Sequence, residues 1–383
     1  MSRRPRNRNR THTRPTPQPH TRRRPAIAAV AAVSLVILAL ALLRLAGAPE
    51  RRRHDAEAAE ALADWPRAAE AWLAYHAGGP TRGDGSTRVR EARAALQANR
   101  PSQAQAALDA AIQIAPRDPR PWLLRLEMLR LEDRPLDAQR LGWAAHAAVP
   151  PASQRRILIG LTLALLSAVP EPEARSTLDA WTRSDPACLD AELARLRLIA
   201  SDPHPGDPTR AQRITRLTTL LAHQPNHPGL RERLIDELAD AGEPALGRTA
   251  LDAWPQPDRD ARYDRQLGRW LLEFDHQPEA AVAPLTRALE ALPFDAPTRY
   301  RLARALQQSG HEPEARAQVA ALHRLREATE PAAIEPRLAA AAADRANTPQ
   351  TARDMAALSD AVGLTRLANA WRAEASRPAP ATP

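Results

Sequence analysis

Residues 119–150 read PRPWLLRLEMLRLEDRPLDAQRLGWAAHAAVP, and the fold is decided by how this stretch is divided. Pro135 follows the polar pair Asp133-Arg134 and precedes a run that closes at Pro150. Proline suits the first turn of a helix, where its missing N–H is not needed and its fixed φ is already helical. Pro135 therefore opens a helix, and the two residues before it form a turn. Upstream, Trp122, Leu126 and Leu129 recur at helical spacing. The stretch is one helix, a short turn and a second helix.

The same mark recurs along the chain. Pro66, Pro101, Pro135, Pro172, Pro208, Pro244, Pro278, Pro313 and Pro349 are separated by 35, 34, 37, 36, 36, 34, 35 and 36 residues. Turn-forming residues stand before several of them: Asn99-Arg100, Ala241-Gly242-Glu243, Asp275-His276-Gln277 and Ser309-Gly310-His311-Glu312. A second proline closes many units, twelve residues after Ala104, Ala138, Ala174 and Ala281. Each period is thus a helix, a short turn, a second helix and a short loop. One such pair cannot bury its own apolar face, so neighbours must stack, with alanines letting the helices approach closely. Aromatic residues make up only 3% of the chain, which leaves leucine and alanine to supply most of the core.

This pattern resembles the tetratricopeptide repeat family. Its unit of about 34 residues carries a bulky residue at position 4, small residues at 8 and 20 and proline at 32. Residues 119–150 match with Trp122, Ala138, Ala145 and Pro150, while Leu126 replaces a small residue and Gly142 a bulky one. Residues 296–327 supply Ala303, Gly310 and Ala315 but lack the closing proline. The resemblance covers roughly residues 50–376. It implies an all-α fold, a right-handed α-solenoid of about nine helix-turn-helix repeats. It further implies that the first helix of each repeat faces a concave groove that binds a protein or peptide partner. The groove-facing positions would be Arg120, Leu123, Glu127 and Arg130 in the best-matching repeat and Tyr300, Arg304 and Gln307 in the later one. Each of these is equally well read as a solvated surface residue. Membrane-anchored bacterial proteins of this family often assist assembly of envelope complexes, cytochrome maturation and secretion among them.

Ahead of the repeats, residues 26–43 read AIAAVAAVSLVILALALL without a charge, and Leu45–Ala48 extend the stretch beyond Arg44. A helix of 20 or so such residues crosses a bilayer core of about 30 Å. Residues 26–48 are therefore expected to form one transmembrane helix. The rival is a cleaved signal peptide, because Ala46-Gly47-Ala48 resembles a cleavage site; the long basic region before it and Pro49 after it speak against cleavage. Residues 1–25 hold nine arginines and no acid, so with a net charge of +9 for the whole chain, residues 26–383 sum to zero. The basicity belongs to a disordered Arg-rich tail. It tips the positive-inside balance towards a cytoplasmic N-terminus, with the solenoid outside the cytoplasm at a bacterial inner membrane. A second functional reading uses that tail to hold anionic lipid or nucleic acid, with the solenoid as a cytoplasmic adaptor. For the neutral solenoid itself, nucleic acid is not an expected partner. Residues 49–376 form the repeats, the stretch Gly363–Ala375 reads as a solvating cap helix, and residues 377–383 read as a disordered end.

Catalytic signatures are missing from the sequence. There is no lysine, which excludes a Walker-type phosphate loop, a kinase lysine and Schiff-base chemistry. The one cysteine, Cys188, can form no intrachain disulfide and reads as a small packing residue. His223 and His227 have metal-like spacing but stand in a proline-containing loop without further ligands. Arg82-Gly83-Asp84 lies in the flexible stretch Gly78–Ser86, which lacks a following Lys-Ser/Thr. The expectation is a non-enzymatic scaffold with no catalytic residue, metal or cofactor.

Overall fold

Most of the turns predicted before the marking prolines share one geometry, which the turn before the last helix repeats. Asn99, Asp133, Gly242, His276, Gly310 and Gly363 all have positive φ, between 49° and 83°. In most of them the following residue donates its N–H back across the helix end: Arg100 to Ala95 O at 2.8 Å, Arg134 to Leu129 O at 2.9 Å and His311 to Leu306 O at 2.9 Å. This left-handed cap satisfies the last carbonyls of one helix, and the next begins one residue later. The same bond recurs at Glu243 to Leu238 and Leu364 to Ser359. Acidic N-caps start other helices, with Asp84 accepting from Thr87 N and Asp295 from Thr298 N.

The computed structural model describes residues 48–77, 84–256, 259–344 and 348–377. Among the described residues there are nineteen α-helices and no strand. They are α1 (Ala48–Ala61), α2 (Trp65–His76), α3 (Gly85–Gln97), α4 (Pro101–Ile114), α5 (Pro119–Leu131), α6 (Pro135–Ala148) and α7 (Pro151–Leu166). Next come α8 (Glu171–Ser184), α9 (Leu189–Ser201), α10 (Arg210–His223), α11 (Pro228–Asp240), α12 (Pro244–Asp252) and α13 (Ala261–Glu273). The chain ends with α14 (Pro278–Ala291), α15 (Ala296–Gln308), α16 (Glu312–Thr329), α17 (Pro331–Ala343), α18 (Pro349–Ala361) and α19 (Thr365–Ala375). Pairs stack as the periodicity predicts: α1 with α2, α3 with α4, α5 with α6, α11 with α12, α13 with α14 and α15 with α16. Leucine and alanine supply most of the buried positions, and Trp72, Trp254, Trp270 and Trp371 are the largest fully buried side chains.

Two pairs depart from the predicted array: α9 and α10 do not pack as a repeat, α10 pairing with α11 instead, and α7 and α8 part more sharply. The axes of α7 and α8 diverge by 95°, and the two helices do not pack as a repeat. The reason lies in their connection, Ser167-Ala168-Val169-Pro170. Ser167 and Pro170 are extended, with ψ of 111° and 135°, and the left-handed cap of the other turns is not made. Pro170 also disfavours a helical conformation at Val169. Helix α7 instead lies against α5 and α6, and α8 pairs with α9. Close approach at α7 uses glycine on both sides. A Cβ at Gly142 would stand 2.7 Å from Leu161 Cδ1, and one at Gly160 would stand 2.8 Å from Leu123 Cδ2.

The other side of α7 is covered from the far end of the chain. Leu158, Leu161 and Leu165 share one core with Leu338, Met355, Leu367 and Trp371. Trp371 Nε1 donates to Thr162 Oγ1 at 3.2 Å, and the buried Arg155 pairs with Asp344 at 2.6 Å. The expected cap helix is therefore present as α19, but it docks on α7 with Trp371 fully buried instead of closing an open end towards solvent. Arg377, assigned by sequence to the terminal segment, donates to Pro151 O at 2.7 Å. The helical array closes on itself.

The Arg-rich tail and all but Ala48 of the expected membrane span lie outside the described residues, as do residues 378–383. Within the described residues no single helix is long and apolar enough to cross a membrane.

Candidate functional site

A cavity of about 630 Å³ lies among α9, α11 and α13. Its wall is built from three consecutive first helices, each contributing one face. Helix α9 presents Asp190, Leu193 and Arg197; α11 presents Gly229, Glu232 and Asp236; α13 presents Arg262 and Arg265. These residues stand at the second, fifth and ninth places of their helices, one stripe at i, i+3, i+7. The α5–α6 turn with Asp133 and Arg134, Arg140 of α6, and the α14–α15 turn with Phe294 and Asp295 complete the basin.

Guanidinium–carboxylate pairs run from helix to helix across this wall. Arg134 reaches Asp190 at 2.5 Å, Asp137 at 2.8 Å and Glu132 at 3.2 Å. Arg262 bonds Asp137 at 2.9 Å, and Arg265 joins Glu232 to Asp295, the latter at 3.3 Å. Deeper along the same groove Arg269 touches Asp236 at 3.1 Å, Asp240 at 2.9 Å and Glu273 at 3.0 Å, and Arg301 bonds Glu273 at 2.7 Å. Among the described lining residues six arginines meet seven carboxylates, so the basin is close to electroneutral.

Burial and pairing pull the ionisable groups in opposite directions. Burial opposes the Asp137 charge, but Arg134 and Arg262 outweigh it and hold the carboxyl down to about 2. Burial also opposes the Arg134 charge, yet Asp190, Glu132 and Asp137 raise its pKa above the ordinary guanidinium value. At Asp236 burial, helped by Glu232, pushes the carboxyl up. Glu132 is the extreme case. Its carboxyl is fully buried at the end of α5, beside Gln105 Nε2 at 3.1 Å and Arg134 at 3.2 Å. Burial first, then the charge on Asp190, push it up to about 7. Arg197 of α9 clips the same turn by donating to Glu132 O at 2.9 Å and Asp133 O at 2.7 Å.

The residues singled out by sequence occupy other places. Leu123 packs towards Gly160 of α7, and Arg130 reaches Ser167 at the end of α7 while pairing with the exposed Glu127. Arg120 pairs with Asp118 at 2.6 Å. On α15, Tyr300 is half exposed with the Arg304 guanidinium 5.9 Å from its ring, and Gln307 is exposed. None of the seven lines the basin. On α9, α11 and α13 the basin is lined from the second, fifth and ninth places of each helix. In the two best-matching repeats, that register meets α7 on one side and solvent on the other.

The histidines of the proline-containing loop take separate partners. His227 caps α11 through its Nδ1, which accepts from Leu230 N at 3.1 Å, and His223 Nδ1 lies 2.8 Å from Thr219 O. Asp84 of the Arg-Gly-Asp tripeptide is the N-cap of α3, and residues 78–83 lie outside the described residues. Cys188 is buried at the start of α9, and burial raises its thiol pKa. Among the described residues one cluster has metal-like geometry, Glu171, Asp202 and His204. The Arg175 guanidinium already bonds Glu171 and the Asp202 carbonyl there.

No family model and no curated protein matches this chain. Among solved structures it is similar to a tetratricopeptide repeat protein from Parabacteroides merdae, at 12% identity and a TM-score of 0.32. That match covers 68% of this chain and 99% of the other. It is also similar to the TPR domain of P58(IPK), at 17% identity and a TM-score of 0.25, over 85% of this chain and 87% of that one. No residue is transferred from either.

The geometry at Glu132 generates a pH test. Its folded pKa of about 7 lies above the ordinary 4.5, so the folded chain binds the extra proton and stability falls as pH rises through that window. Glu132→Gln should remove this slope and stabilise the protein by about 1–3 kcal/mol at pH 8, with no gain at pH 4. Urea unfolding at the two pH values checks it; an equal effect at both would contradict the assignment.

Proposed function

We propose that this chain is a membrane-anchored, tetratricopeptide-like scaffold that binds a protein or peptide partner in the basin and has no catalytic role. The observation that carries the reading is the wall itself: α9, α11 and α13, the first helices of successive pairs, present the same stripe, with polar head groups converging on a cavity of about 630 Å³. Such a surface offers many hydrogen-bonding groups and little net charge, which suits a polypeptide with its alternating donors and acceptors better than a polyanion. Anchoring is assigned to residues 26–48, with the N-terminus cytoplasmic, the helical array outside the cytoplasm and envelope-complex assembly as the process served. That part of the reading rests on the apolar run and the arginine distribution alone.

Rim charges test the binding surface without disturbing the core. The side chains of Asp133 and Arg140 are 73% and 67% exposed. Neutralising Asp133 with asparagine, which keeps the left-handed turn, and reversing Arg140 (Asp133→Asn with Arg140→Glu) should weaken capture of the native partner by about tenfold at low salt, mainly through slower association. Tyr300→Ala should leave capture unchanged. The opposite pattern would move the binding surface to the α15 face. For the anchor, a tag placed after Pro383 should be removed by protease added to intact spheroplasts while a cytoplasmic control survives. Survival of the tag would reverse the proposed orientation.

A further inference from the structure

We propose that Glu171, Asp202 and His204 form a zinc site that pins the α9–α10 connection to the start of α8.

The three donors come from the two places where the array departs from simple pairs. Glu171 is the first residue of α8, directly after the extended connection 167–170. Asp202 caps the C-terminus of α9, and His204 stands just beyond it, in the connection from which α10 leaves to pack on α11. One donor atom from each residue lies within 4.8 Å of the others. None of the three residues lines the basin, so the site is separate from the binding surface proposed above.

Their spacing is that of ligands. His204 Nε2 faces Asp202 Oδ2 at 3.4 Å and Glu171 Oε1 at 3.8 Å, both longer than an ordinary hydrogen bond. Ligands placed tetrahedrally about zinc, with bonds of about 2.0–2.2 Å, stand about 3.4 Å from one another. The His204–Asp202 separation already has that length, and Glu171 needs to close by only a few tenths of an ångström. Imidazole nitrogen and carboxylate oxygen are donors that zinc takes, and three protein ligands leave the fourth position to water.

Charge and support agree with an ion there. With Asp207 beside the cluster, three carboxylates meet one guanidinium, that of Arg175. Arg175 bonds Glu171 Oε1 through Nε, Asp207 at 2.9 Å through Nη1 and the Asp202 carbonyl through Nη2. The Asp202 carboxylate and His204 Nε2 are thus left to the ion. Glu171 Oε1 is shared, which its two lone pairs allow. A hydrogen bond of this kind orients a metal-binding carboxylate from outside the coordination shell. Asp207 in turn accepts the His204 backbone N–H at 2.8 Å, so Arg175 and Asp207 together hold the histidine against α8. Bound zinc would fix the connection at which the chain turns away from α9.

Isothermal titration of the chelator-treated full chain in detergent with Zn²⁺ tests the site. The expected result is one equivalent bound at micromolar zinc, with added protection from hydrogen exchange both in the first turn of α8 and in residues 202–209. His204→Ala should weaken binding by about tenfold or more, and Asp202→Asn should do the same. Neither change touches the core, because both side chains are about half exposed. His223→Ala should leave binding as it is. Absence of binding at micromolar zinc would overturn the proposal. So would binding that His204→Ala leaves unchanged, which marks an adventitious ion only. Binding that depends on His204 but protects residues 202–209 alone would also overturn it, because Glu171 would then not be a ligand.

Discussion

A pair of short helices cannot bury its own apolar face, and everything distinctive in this structure follows from a helix denied its pair. Most units meet the requirement locally: a left-handed cap returns the chain, and the second helix covers the first. At Ser167–Pro170 the return fails, because the connection is extended and two prolines follow within three residues of Val169. Helix α7 then packs on α5 and α6, without cover from the helix that follows it. The chain supplies the missing surface from about two hundred residues downstream, where Met355, Leu367 and Trp371 fill the face. The array closes at this contact, while the basin is lined by the α5–α6 turn, α9, α11, α13 and the α14–α15 turn.

The basin's chemistry reflects a chain that has arginine as its only strongly basic residue. A guanidinium carries five donors in a planar fork, so one side chain can hold carboxylates on different helices at once. Arg269 does so with Asp236, Asp240 and Glu273, and Arg134 with Asp190, Asp137 and Glu132. These links cross from each first helix to the next, where an apolar stripe would have been hidden. They keep the concave face polar and specify its register. The cost of burial is concentrated on Glu132, whose carboxyl sits at the joint between the α5–α6 turn and α9.

The proline period was enough to place almost every described helix, because proline at the first turn and a left-handed residue two places before the next helix are local instructions. Asn99, Asp133, Gly242 and Gly310 were each readable as turn residues, and each is one. The failed return at 167–170 was also present in the sequence, as a connection without Gly, Asn or Asp. Pro172 kept the period and concealed it. The groove register was readable in principle from the alternation along α9, α11 and α13. The match to a consensus at α5 reflects packing positions and says nothing of what lies over its outer face. No local rule reveals that α7 and α19 meet, because their contact depends on how the whole array curves.

The most direct measurement is therefore the separation of those two helices. Spin labels at Arg156 on α7 and Arg372 on α19, both exposed, can be placed by cysteine substitution after replacing Cys188 with alanine. Closure predicts one narrow, short distance distribution, as expected for helices whose axes are about 10 Å apart. A long or broad distribution, on the scale of the intervening stack of helix pairs, would mean that the array stays open.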